Sequence, residues 1–527
     1  MGYDGVEAKI PLGEIGLLTD VSPTDMPPNA LTYANNICLW NGCVEKAPGT
    51  LKFNASALPA GIVAIHDWWP DTTKQRLIAV TSAGSVYRDT GGRDFASNTA
   101  ITTGLGTLTP NCKFTEGGVE TAGRSKKLFL FTNGVAQLKV LEADGTSFAS
   151  IDNPAADWTG TNYPKCGVVH RNRLWAFAGQ RAYASDTGDQ ENFTTNYLTQ
   201  AVFPGEGGEI RGAYVYKGRL FAFKDGGFVY YLEDSDSDSA FWFWKKLASS
   251  FGLAAPNALQ EVGNDLIGGN TTGTITSYAA SDALGEVESA DIMQLAKMES
   301  FLRATTSKSG ILEQHCLYYP EKKTLFATYR STYRTYNDML ISLDTNTGQP
   351  RFAFWIKGYP QCLALRKDIN EIFRPMYGDK DGYVHIMDYE DRLEGSTAFL
   401  GDFQTAQLDF SHVDPRFSTT NKLFDHLSVH YLKEGSHNLS CDYFIDGKYV
   451  ETITFPMQQY DNAQLNQLVL DTDRLAQFNQ ETFTRPLKGS GRTISFRFYN
   501  NGSNQSFRIA AITVGFRPSG KQAQKAT

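Results

Sequence analysis

The sequence predicts an all-β fold, in which a β-propeller of about seven blades lies between an extended N-terminal arm and a C-terminal antiparallel β-sandwich. Three observations support this prediction. A short apolar strand pattern recurs at nearly constant intervals, its strands are apolar on both faces, and strand patterns continue after the interval is lost near residue 400. We therefore predict an arm over 1–60, a propeller over 61–395, a sandwich over 396–520 and a polar tail over 521–527.

The repeated unit is an apolar strand that follows a polar residue, as in RLIAV, KLFLF, RLWAF and RLFAF. Seven units occur, and successive units are separated by 51, 46, 46, 46, 59 and 47 residues. A period of about 45 residues with several short strands in each unit is typical of propeller blades. The leading positions of the units are Leu77, Leu128, Leu174, Leu220, Leu266, Leu325 and Ile372.

The strands inside a unit are apolar on both faces. In RLFAF, Leu220 and Ala222 point to one face, while Phe221 and Phe223 point to the other. A sheet with one face in water alternates apolar and polar residues, whereas a sheet packed between two others is apolar on both sides. This pattern favours blades packed face to face around a ring.

The longest interval, from Leu266 to Leu325, contains a helical pattern. Ile292, Leu295, Met298 and Leu302 recur at helical spacing, which predicts a short amphipathic helix. Such a helix either contacts a neighbouring molecule or packs on its own blade, and the sequence leaves both alternatives open.

The two ends of the chain lack the period. Residues 1–60 are rich in Pro, Gly and Asn and poor in apolar residues, which predicts an extended arm with one hairpin that finds its partners on another surface. After residue 400, strand patterns such as LFDHLSVHYL and SFRIAAITVGFR are separated by Asp-Gly and Asn-Gly turns. These features predict a compact antiparallel sandwich.

Composition limits the classes of function. The 527 residues carry a formal net charge of −8, which argues against a protein that coats nucleic acid or membrane surfaces. The sequence has no apolar run of 18 residues, and its first residues lack the basic and apolar regions of a secretory signal. We expect a chain made in the cytoplasm, without stable membrane insertion.

Seven cysteines are scattered along the chain without a C-x-x-C pair. An odd, scattered set favours reduced cysteines that act as small apolar residues. Cys38 and Cys43 flank the predicted hairpin, and a disulfide between them stays open as an alternative, although it would be unusual in a reducing compartment.

Motifs for catalysis or for a cofactor are missing, and we predict no catalytic, cofactor or metal residues. The Gly-rich stretch 205–212 neither follows a parallel strand nor opens a helix, so it is interpreted as a loop rather than a phosphate cradle. His426 and His430 lie in an alternating strand pattern, about 13 Å apart on one face, which favours a strand surface over a metal site. The acidic stretch 233–239 and the sequence DKDG at 379–382 are interpreted first as turns, with calcium binding as the alternative.

A propeller also raises the alternative of a protein that binds or cleaves glycans. Ser185 to Gly188 faintly resemble a sialidase Asp-box, but the spacing between serine and aspartate is one residue short. Paired carboxylates from separate blades would leave no linear trace, so this alternative stays open.

Four segments resemble structural proteins of short-tailed bacteriophages. They are the N-terminal run 16–49, YASDTGDQENFT at 183–194, YGDKDGYVHIMD at 377–388 and SFRIAAITVGFRP at 506–518. In the first segment, the matching positions, which we take as a candidate assembly segment, are Asp20, Met26, Pro27, Asn36, Ile37, Trp40, Gly42, Pro48 and Gly49. The implied family is the propeller-bearing tail nozzle, also called tail tubular protein B, with the related packaged-DNA stabilisation or tail-hub proteins.

The resemblance implies a mechanical function and no enzyme activity. Proteins of this family form rings, commonly hexamers, below the portal and its adaptor in the virion tail. Their lumen conducts and retains duplex DNA without reading its sequence, and their outside carries fibres or spikes. The expected partners are therefore further copies of this chain, portal-adaptor and fibre or spike proteins, and DNA in passage. We also expect that deletion of residues 1–50 leaves a folded propeller but abolishes the ring.

Overall fold

The computed structural model describes residues 5–71, 74–89, 95, 99–118, 126–143, 145–248, 252–277, 290–291, 297–345, 351–368, 372–389, 393–394, 396–432, 435, 437–457 and 480–519. Within this part, the protein is mostly β, with a β-propeller and additional sheets. A β-propeller is therefore confirmed, whereas the number of about seven blades stays a prediction.

In the described chain six strands precede the propeller; four of them pair with strands that follow it, and the other two pair with members of those four. The N-terminal strands are β1 (Val6–Pro11), β2 (Gly16–Leu17), β3 (Ala30–Asn35), β4 (Ile37–Cys38), β5 (Val44–Lys46) and β6 (Gly49–Lys52).

The first propeller sheets are built from consecutive antiparallel strands, and the first strand of each lies innermost. The first sheet comprises β7 (Ile62–Trp68), β8 (Arg76–Thr81) and β9 (Val86–Arg88). The second comprises β10 (Lys113–Gly117), β11 (Lys127–Phe131), β12 (Lys139–Glu142) and β13 (Ala149–Ser150). The third comprises β14 (Cys166–His170), β15 (Arg173–Ala178), β16 (Arg181–Ala184) and β17 (Leu198–Ala201).

The chain continues around the ring in the same manner. The fourth sheet comprises β18 (Ile210–Tyr216), β19 (Arg219–Lys224), β20 (Val229–Glu233) and β21 (Phe243–Ala248). The fifth comprises β22 (Leu259–Val262), β23 (Asp265–Gly269), β24 (Ile275–Ser277) and β25 (Ala290–Asp291). Next come β26 (Cys316–Tyr319), β27 (Thr324–Tyr329), β28 (Met339–Asp344) and β29 (Arg351–Trp355), and then β30 (Pro360–Lys367), β31 (Phe373–Asp379) and β32 (Val384–Tyr389).

Six of these units are separate sheets, whereas β26–β29 are one end of a ten-stranded sheet that continues outside the propeller. The strands β26–β29 pack on the fifth sheet on one side and on β30–β32 on the other. The β30–β32 sheet in turn packs on the first sheet and closes the ring. The strand β6 pairs with β32 and completes this last sheet from the N-terminal end of the chain.

The strand β15 shows why the blades are apolar on both faces. Leu174 and Ala176 pack on the preceding sheet, while Trp175 and Phe177 pack on the following one. All six residues of β15 are buried. The alternating contacts are those that the repeated sequence pattern predicts for stacked sheets.

The remaining strands lie C-terminal to the ring. They are β33 (Leu393–Glu394), β34 (Thr397–Ala398), β35 (Gly401–Thr405), β36 (Lys422–Leu432), β37 (Asn438–Ile445), β38 (Lys448–Pro456), β39 (Gln480–Pro486), β40 (Ser490–Gly491), β41 (Ile494–Asn500) and β42 (Arg508–Pro518). One sheet has the order β39-β36-β42-β5-β4, with β1 on β42 and β40 on β36. The other is the outer end of the ten-stranded sheet, β3-β35-β41-β37-β38, and the two share one apolar core.

The interpretation of residues 1–60 as an arm that docks on another surface is wrong. The strand β3 lies between β29 and β35 and joins the propeller to the C-terminal sheets. Ile10, Leu12 and Ile37 belong to the main apolar core of this chain. Deleting residues 1–50 would remove these strands and expose that core, so we no longer expect a folded propeller after the deletion.

Two short α-helices lie between the fifth sheet and β26, namely α1 (Glu299–Thr305) and α2 (Lys308–Ile311). Leu302 of α1 and Met298 before it are buried in the chain's own core, whereas Ile292 and Leu295 lie outside the described residues. The described part of the predicted helix therefore packs on its own chain. Four 3-10 turns are also present in the described chain: Trp40–Gly42, Ser239–Phe241, Pro320–Lys322 and Pro415–Ser418.

Candidate functional site

The axis of the propeller holds a cavity of about 320 Å³ where inner strands of six units converge. Residues of β7, β10, β18, β22, β26 and β30 line it, including His66, Lys113, Tyr214, Gln260 and His315. A second cavity of about 460 Å³ lies between β10, β14 and β18 and shares Lys113 with the first. At roughly 30 Å³ for each water molecule, these volumes suit small polar molecules or water.

Lys113 crosses the axis between the two cavities. Its Nζ donates hydrogen bonds to the backbone carbonyls of Ala213 at 3.2 Å and Pro256 at 3.4 Å. Burial lowers the pKa of this ammonium group, because the charged form loses its hydration. The contacts link the second sheet to the fourth and to the start of the fifth, so they narrow the axis.

His315 hydrogen-bonds to two further segments of the chain at the propeller axis, at Pro110 and Leu363. Its Nε2 lies 2.5 Å from the carbonyl oxygen of Pro110, and its Nδ1 accepts a bond from the Leu363 amide at 3.5 Å. These partners assign the neutral tautomer that carries its proton on Nε2. Burial lowers the pKa of His315 to about 4, so the ring is neutral at pH 7 and holds strands together.

Asn257 completes this polar layer by donating to the carbonyl of Cys112 at 2.8 Å. A DNA major groove alone is about 12 Å wide, whereas side chains with hydrogen bonds of 2.5–3.5 Å span this axis. The axis of one propeller is therefore no passage for duplex DNA. Sequence reasoning missed this layer, because its members come from separate strands and form no linear motif.

The mouth of the first cavity carries an acid–base pair. His66 Nε2 lies 2.9 Å from Glu116 Oε1, and the imidazole stacks on Phe114 with ring centres 5.4 Å apart. Such a pair can transfer protons. Over the described ranges, however, no group of three or more His, Cys, Asp or Glu residues is placed to hold a metal ion.

The structure places the predicted assembly residues inside the chain's own contacts. Asp20 lies at the start of α1, where its carboxylate accepts hydrogen bonds from the amides of Ser300 at 2.8 Å and Phe301 at 3.3 Å. This carboxylate satisfies two free N–H groups at the helix end. Met26 is buried against Ala406 next to β35, and the carbonyl of Pro27 accepts from the Ala30 amide at 3.0 Å.

Asn36 joins three parts of the chain. Its backbone adopts φ 52°, a left-handed conformation that asparagine tolerates. Its Nδ2 donates to the Leu400 carbonyl at 2.7 Å, and its Oδ1 accepts from the Ile356 amide at 3.0 Å. Asn36 therefore connects the loop after β29 to the chain segment that leads into β35.

Two more of the predicted residues contact residues 355–357, and a third pairs with β32. Trp40 lies edge-on to Trp355, with ring centres 6.4 Å apart, and its Nε1 donates to Thr324 Oγ1 at 2.9 Å. The Lys357 ammonium group donates to the carbonyl of Pro48. Gly49 begins β6 and pairs with Tyr389.

Gly42, by contrast, is exposed with φ 71° and ends the 3-10 turn. Asn36, Trp40 and Pro48 thus converge on residues 355–357, and we call this contact the N-terminal staple. The segment that resembles phage proteins fastens the propeller to the C-terminal sheets within one chain.

The other candidates from the sequence occupy structural positions. All seven cysteines are buried. His430 hydrogen-bonds to Thr482 at 2.7 Å and Thr513 at 2.8 Å on the sheet surface, while His426 lies 3.6 Å from Glu7. These contacts support the interpretation as a strand surface.

The loop at 379–382 and the Gly-rich stretch 205–212, which sequence offered as ion and phosphate sites, make internal contacts. Asp379 accepts from the amides of Asp381 at 2.9 Å and Tyr383 at 2.7 Å, as a turn residue does. Asp225 pairs with Arg211 at 3.0 Å beside the Gly-rich stretch 205–212. In the sequence that resembles an Asp-box, Ser185 Oγ accepts from the Leu174 amide at 3.0 Å and fixes the end of β16.

Comparisons with known proteins give no family. No family model matches the chain, and no curated protein matches it. Among solved structures, the computationally designed protein Ika8 is 12% identical with a TM-score of 0.35, over 65% of this chain and 99% of that chain. The extracellular domain of a putative one-component system from B. thetaiotaomicron is 10% identical with a TM-score of 0.36, over 78% of this chain and 48% of that chain. Similarity this low says nothing about function.

No helix in the described parts of the chain has the length and apolar character needed to cross a membrane.

Proposed function

We propose that this chain is a structural subunit of a short-tailed bacteriophage virion, a nozzle or hub whose copies form a ring. In this proposal, the propeller has seven blades, with β26–β29 counted as the seventh. The observation that carries the proposal is the ten-stranded sheet that runs from β26 through β3 to β38. A continuous hydrogen-bonded sheet transmits force without a hinge, which is what a subunit of a pressurised tail requires.

The N-terminal staple supports the same function. Asn36, Trp40 and Pro48 fasten the loop at 355–357 to the N-terminal segment, so propeller and sandwich move together. The resemblance of residues 16–49 to phage tail proteins lies in this same stretch. A segment that fastens two parts of the chain together in this way fits a mechanical subunit better than a catalyst.

The closed axis places the DNA passage elsewhere in this proposal. Since Lys113 and His315 bridge the axis of one propeller, DNA would pass through an opening between copies. Each copy brings a formal net charge of −8. An acidic wall keeps a duplex mobile, because it offers few Lys or Arg contacts to phosphates.

Labelling of virions tests this function. Antibodies against the chain, with gold detection on purified particles, should mark the tail end of each particle, and mass spectrometry should find the chain among the virion proteins. Absence of the chain from purified particles would exclude a virion structural role. Labelling at the tail tip, rather than at the junction with the head, would favour a nozzle over a hub.

A glycan-binding module is the second candidate, and one surface favours it. On the outer face of the ten-stranded sheet, the Arg497 guanidinium lies 6.0 Å from the ring centre of Tyr33 and 5.8 Å from that of Tyr499. Asp442 accepts from Thr452 at 2.6 Å and from Tyr499 at 3.4 Å on the same face. Tyrosine faces beside mixed donors and acceptors suit the hydroxyl groups of a saccharide.

A glycan array with the purified chain tests this candidate. Binding that Tyr499→Ala abolishes and Tyr197→Ala preserves would favour the saccharide surface, because Tyr197 is an exposed tyrosine that lies just before β17 in the propeller. Release of reducing sugar by the purified chain would overturn the non-enzymatic proposal.

A further inference from the structure

Two rigid, exposed loops project from different parts of the propeller, and one presents an arginine where the other presents two aspartates. The tyrosine loop, residues 331–338, joins β27 to β28 and has the sequence STYRTYND. Tyr333 at its tip is 91% exposed, more than any other large apolar side chain in the described chain. Loops that recognise proteins are rich in Tyr, Ser, Asn and Arg.

The base of the tyrosine loop is held by short hydrogen bonds. Asp338 accepts from the Ser331 amide and from its hydroxyl, both at 2.7 Å. The buried Asn337 donates its amide to Gln361 Oε1 at 3.1 Å, and Gln361 Nε2 donates back to the Asn337 carbonyl at 2.8 Å. Arg330 donates to the Thr335 carbonyl at 2.9 Å. A loop fixed in this way loses little conformational entropy when it binds.

The tip of the tyrosine loop presents one guanidinium, whereas the loop's carboxylate, that of Asp338, is engaged by Ser331 at the base. The Arg334 guanidinium lies 5.8 Å from the ring centre of Tyr336 and has no ion-pair partner within the described part of the chain. Lys380 lies 5.4 Å from the Tyr336 ring centre and 5.3 Å from that of Tyr359. Its own partner is Asp381 at 2.7 Å, so the cation that this surface offers to another molecule is that of Arg334.

The aspartate loop, residues 234–243, joins β20 to β21 and is also rigid. Asp236 and Asp238 each accept a backbone N–H of the loop at 2.9 Å, and Trp242 Nε1 donates to the Asp236 carbonyl at 2.8 Å. Phe241 is 64% exposed and Phe243 is 51% exposed. Two neighbouring phenylalanines with this much solvent exposure indicate a surface that binds a protein partner.

The aspartate loop carries negative charge beyond what its neighbours neutralise. Glu233 pairs with Lys245 at 2.8 Å, and Asp234 pairs with Arg171 at 2.8 Å. Among the described residues, no Lys or Arg side chain forms an ion pair with Asp236 or Asp238. Their two carboxylates therefore face solvent beside the exposed phenylalanines.

The two loops lie at opposite ends of their sheets. The tyrosine loop joins the second and third strands of its unit, whereas the aspartate loop joins the third and fourth strands of the fourth sheet. In every unit the first strand lies innermost and successive strands run in opposite directions. The loop between the second and third strands therefore lies on one face of the ring, and the loop between the third and fourth strands lies on the other. The loops of one molecule therefore do not meet each other.

We infer that the tyrosine loop of one copy of this chain binds the aspartate loop of another. Tyr333 would cover Phe241 and Phe243, and the Arg334 guanidinium would pair with the Asp236 and Asp238 carboxylates. Because the two surfaces differ, the contact is heterologous, and such contacts close into a ring when the rotation between copies permits. The inference rests on the proposal that copies of this chain assemble, and it names the surfaces that do so.

Charge reversal tests the inference on the full chain. Arg334→Glu and, separately, Asp236→Lys with Asp238→Lys should each weaken self-association roughly tenfold or more in sedimentation velocity. A mixture of the two variants should associate again, because the reversed tyrosine loop of one variant matches the reversed aspartate loop of the other. The unreversed loops of the two variants still match each other. A single chain carrying all three substitutions should associate to within about threefold of wild type.

Tyr333→Ser should weaken self-association roughly 30-fold, as expected for a central tyrosine of an interface. The exposed-site variants Asp152→Lys and Lys448→Glu serve as matched controls and should leave association unchanged. If the wild-type ring forms and the reversals leave it intact, the inference is wrong and the proposed function survives. If the wild type stays monomeric, both are wrong, and if the triple variant fails to recover while its circular dichroism matches wild type, the charge pairing is wrong.

Discussion

The N-terminal staple predicts a defined loss of stability when Asn36 is changed. Asn36→Gly keeps the left-handed backbone but removes the hydrogen bonds to Leu400 and Ile356. At about 1–1.5 kcal/mol for each bond, the unfolding free energy should fall by about 2–3 kcal/mol. Asn36→Ala loses the same bonds and adds about 1 kcal/mol of strain at φ 52°.

These free energies convert into a measurable shift of the melting temperature. With an unfolding entropy of about 2.1 cal/mol/K per residue, the 527 residues give about 1.1 kcal/mol/K, so each 1 kcal/mol lowers Tm by about 1 °C. Scanning calorimetry should therefore show Tm lowered by about 2–3 °C for Asn36→Gly and by about 3–4 °C for Asn36→Ala.

Asn501→Ala is the matched control, because Asn501 is an exposed asparagine and surface changes usually stay within about 0.5 kcal/mol. If Asn36→Gly melts no lower than Asn501→Ala, the staple does not stabilise the chain. If Asn36→Ala melts higher than Asn36→Gly, the argument from backbone strain is wrong.

Three further predictions concern single side chains. Asp20→Ala should weaken the start of α1 by about 1 kcal/mol, seen as roughly fivefold faster amide exchange over 299–305, while Asp20→Asn should retain most of the protection. Burial lowers the pKa of His315 to about 4, so the unfolded chain takes up a proton at a higher pH than the folded chain does. The free energy of unfolding should therefore fall as the pH drops from about 6.5 to 4. Denaturation experiments on His315→Gln should show a smaller loss of stability over the same pH range. Burial lowers the pKa of Lys422 to about 8, so stability should rise with pH between about 8 and 10.4. Urea titrations of Lys422→Met should lack that rise. If the stability of His315→Gln or Lys422→Met depends on pH as that of the wild type does, the pKa shift assigned to that residue is wrong.

The propeller could be predicted from sequence because its signal is local and repeated. Leu174 to Ala178 place apolar side chains on both faces of their strand. Similar apolar strands recur in the other units. The period thus required no knowledge of distant contacts.

The N-terminal segment could not be predicted, because its partners lie far away along the chain. Asn36 bonds to residues 356 and 400, and β6 completes a sheet whose other strands begin at residue 360. A stretch with few apolar residues resembles a coreless arm in sequence, although its polar groups are satisfied by other strands of the same chain. The polar layer around Lys113 and His315 at the propeller axis could not be predicted from sequence for a related reason, because its members belong to different blades.

Negative-stain microscopy of the purified chain tests the central claim of a ring-forming subunit most directly. The account predicts closed rings with a central opening, commonly of six copies, with the aspartate loop and the tyrosine loop at every contact between neighbours. A population of single propellers at every concentration, without rings, would contradict it.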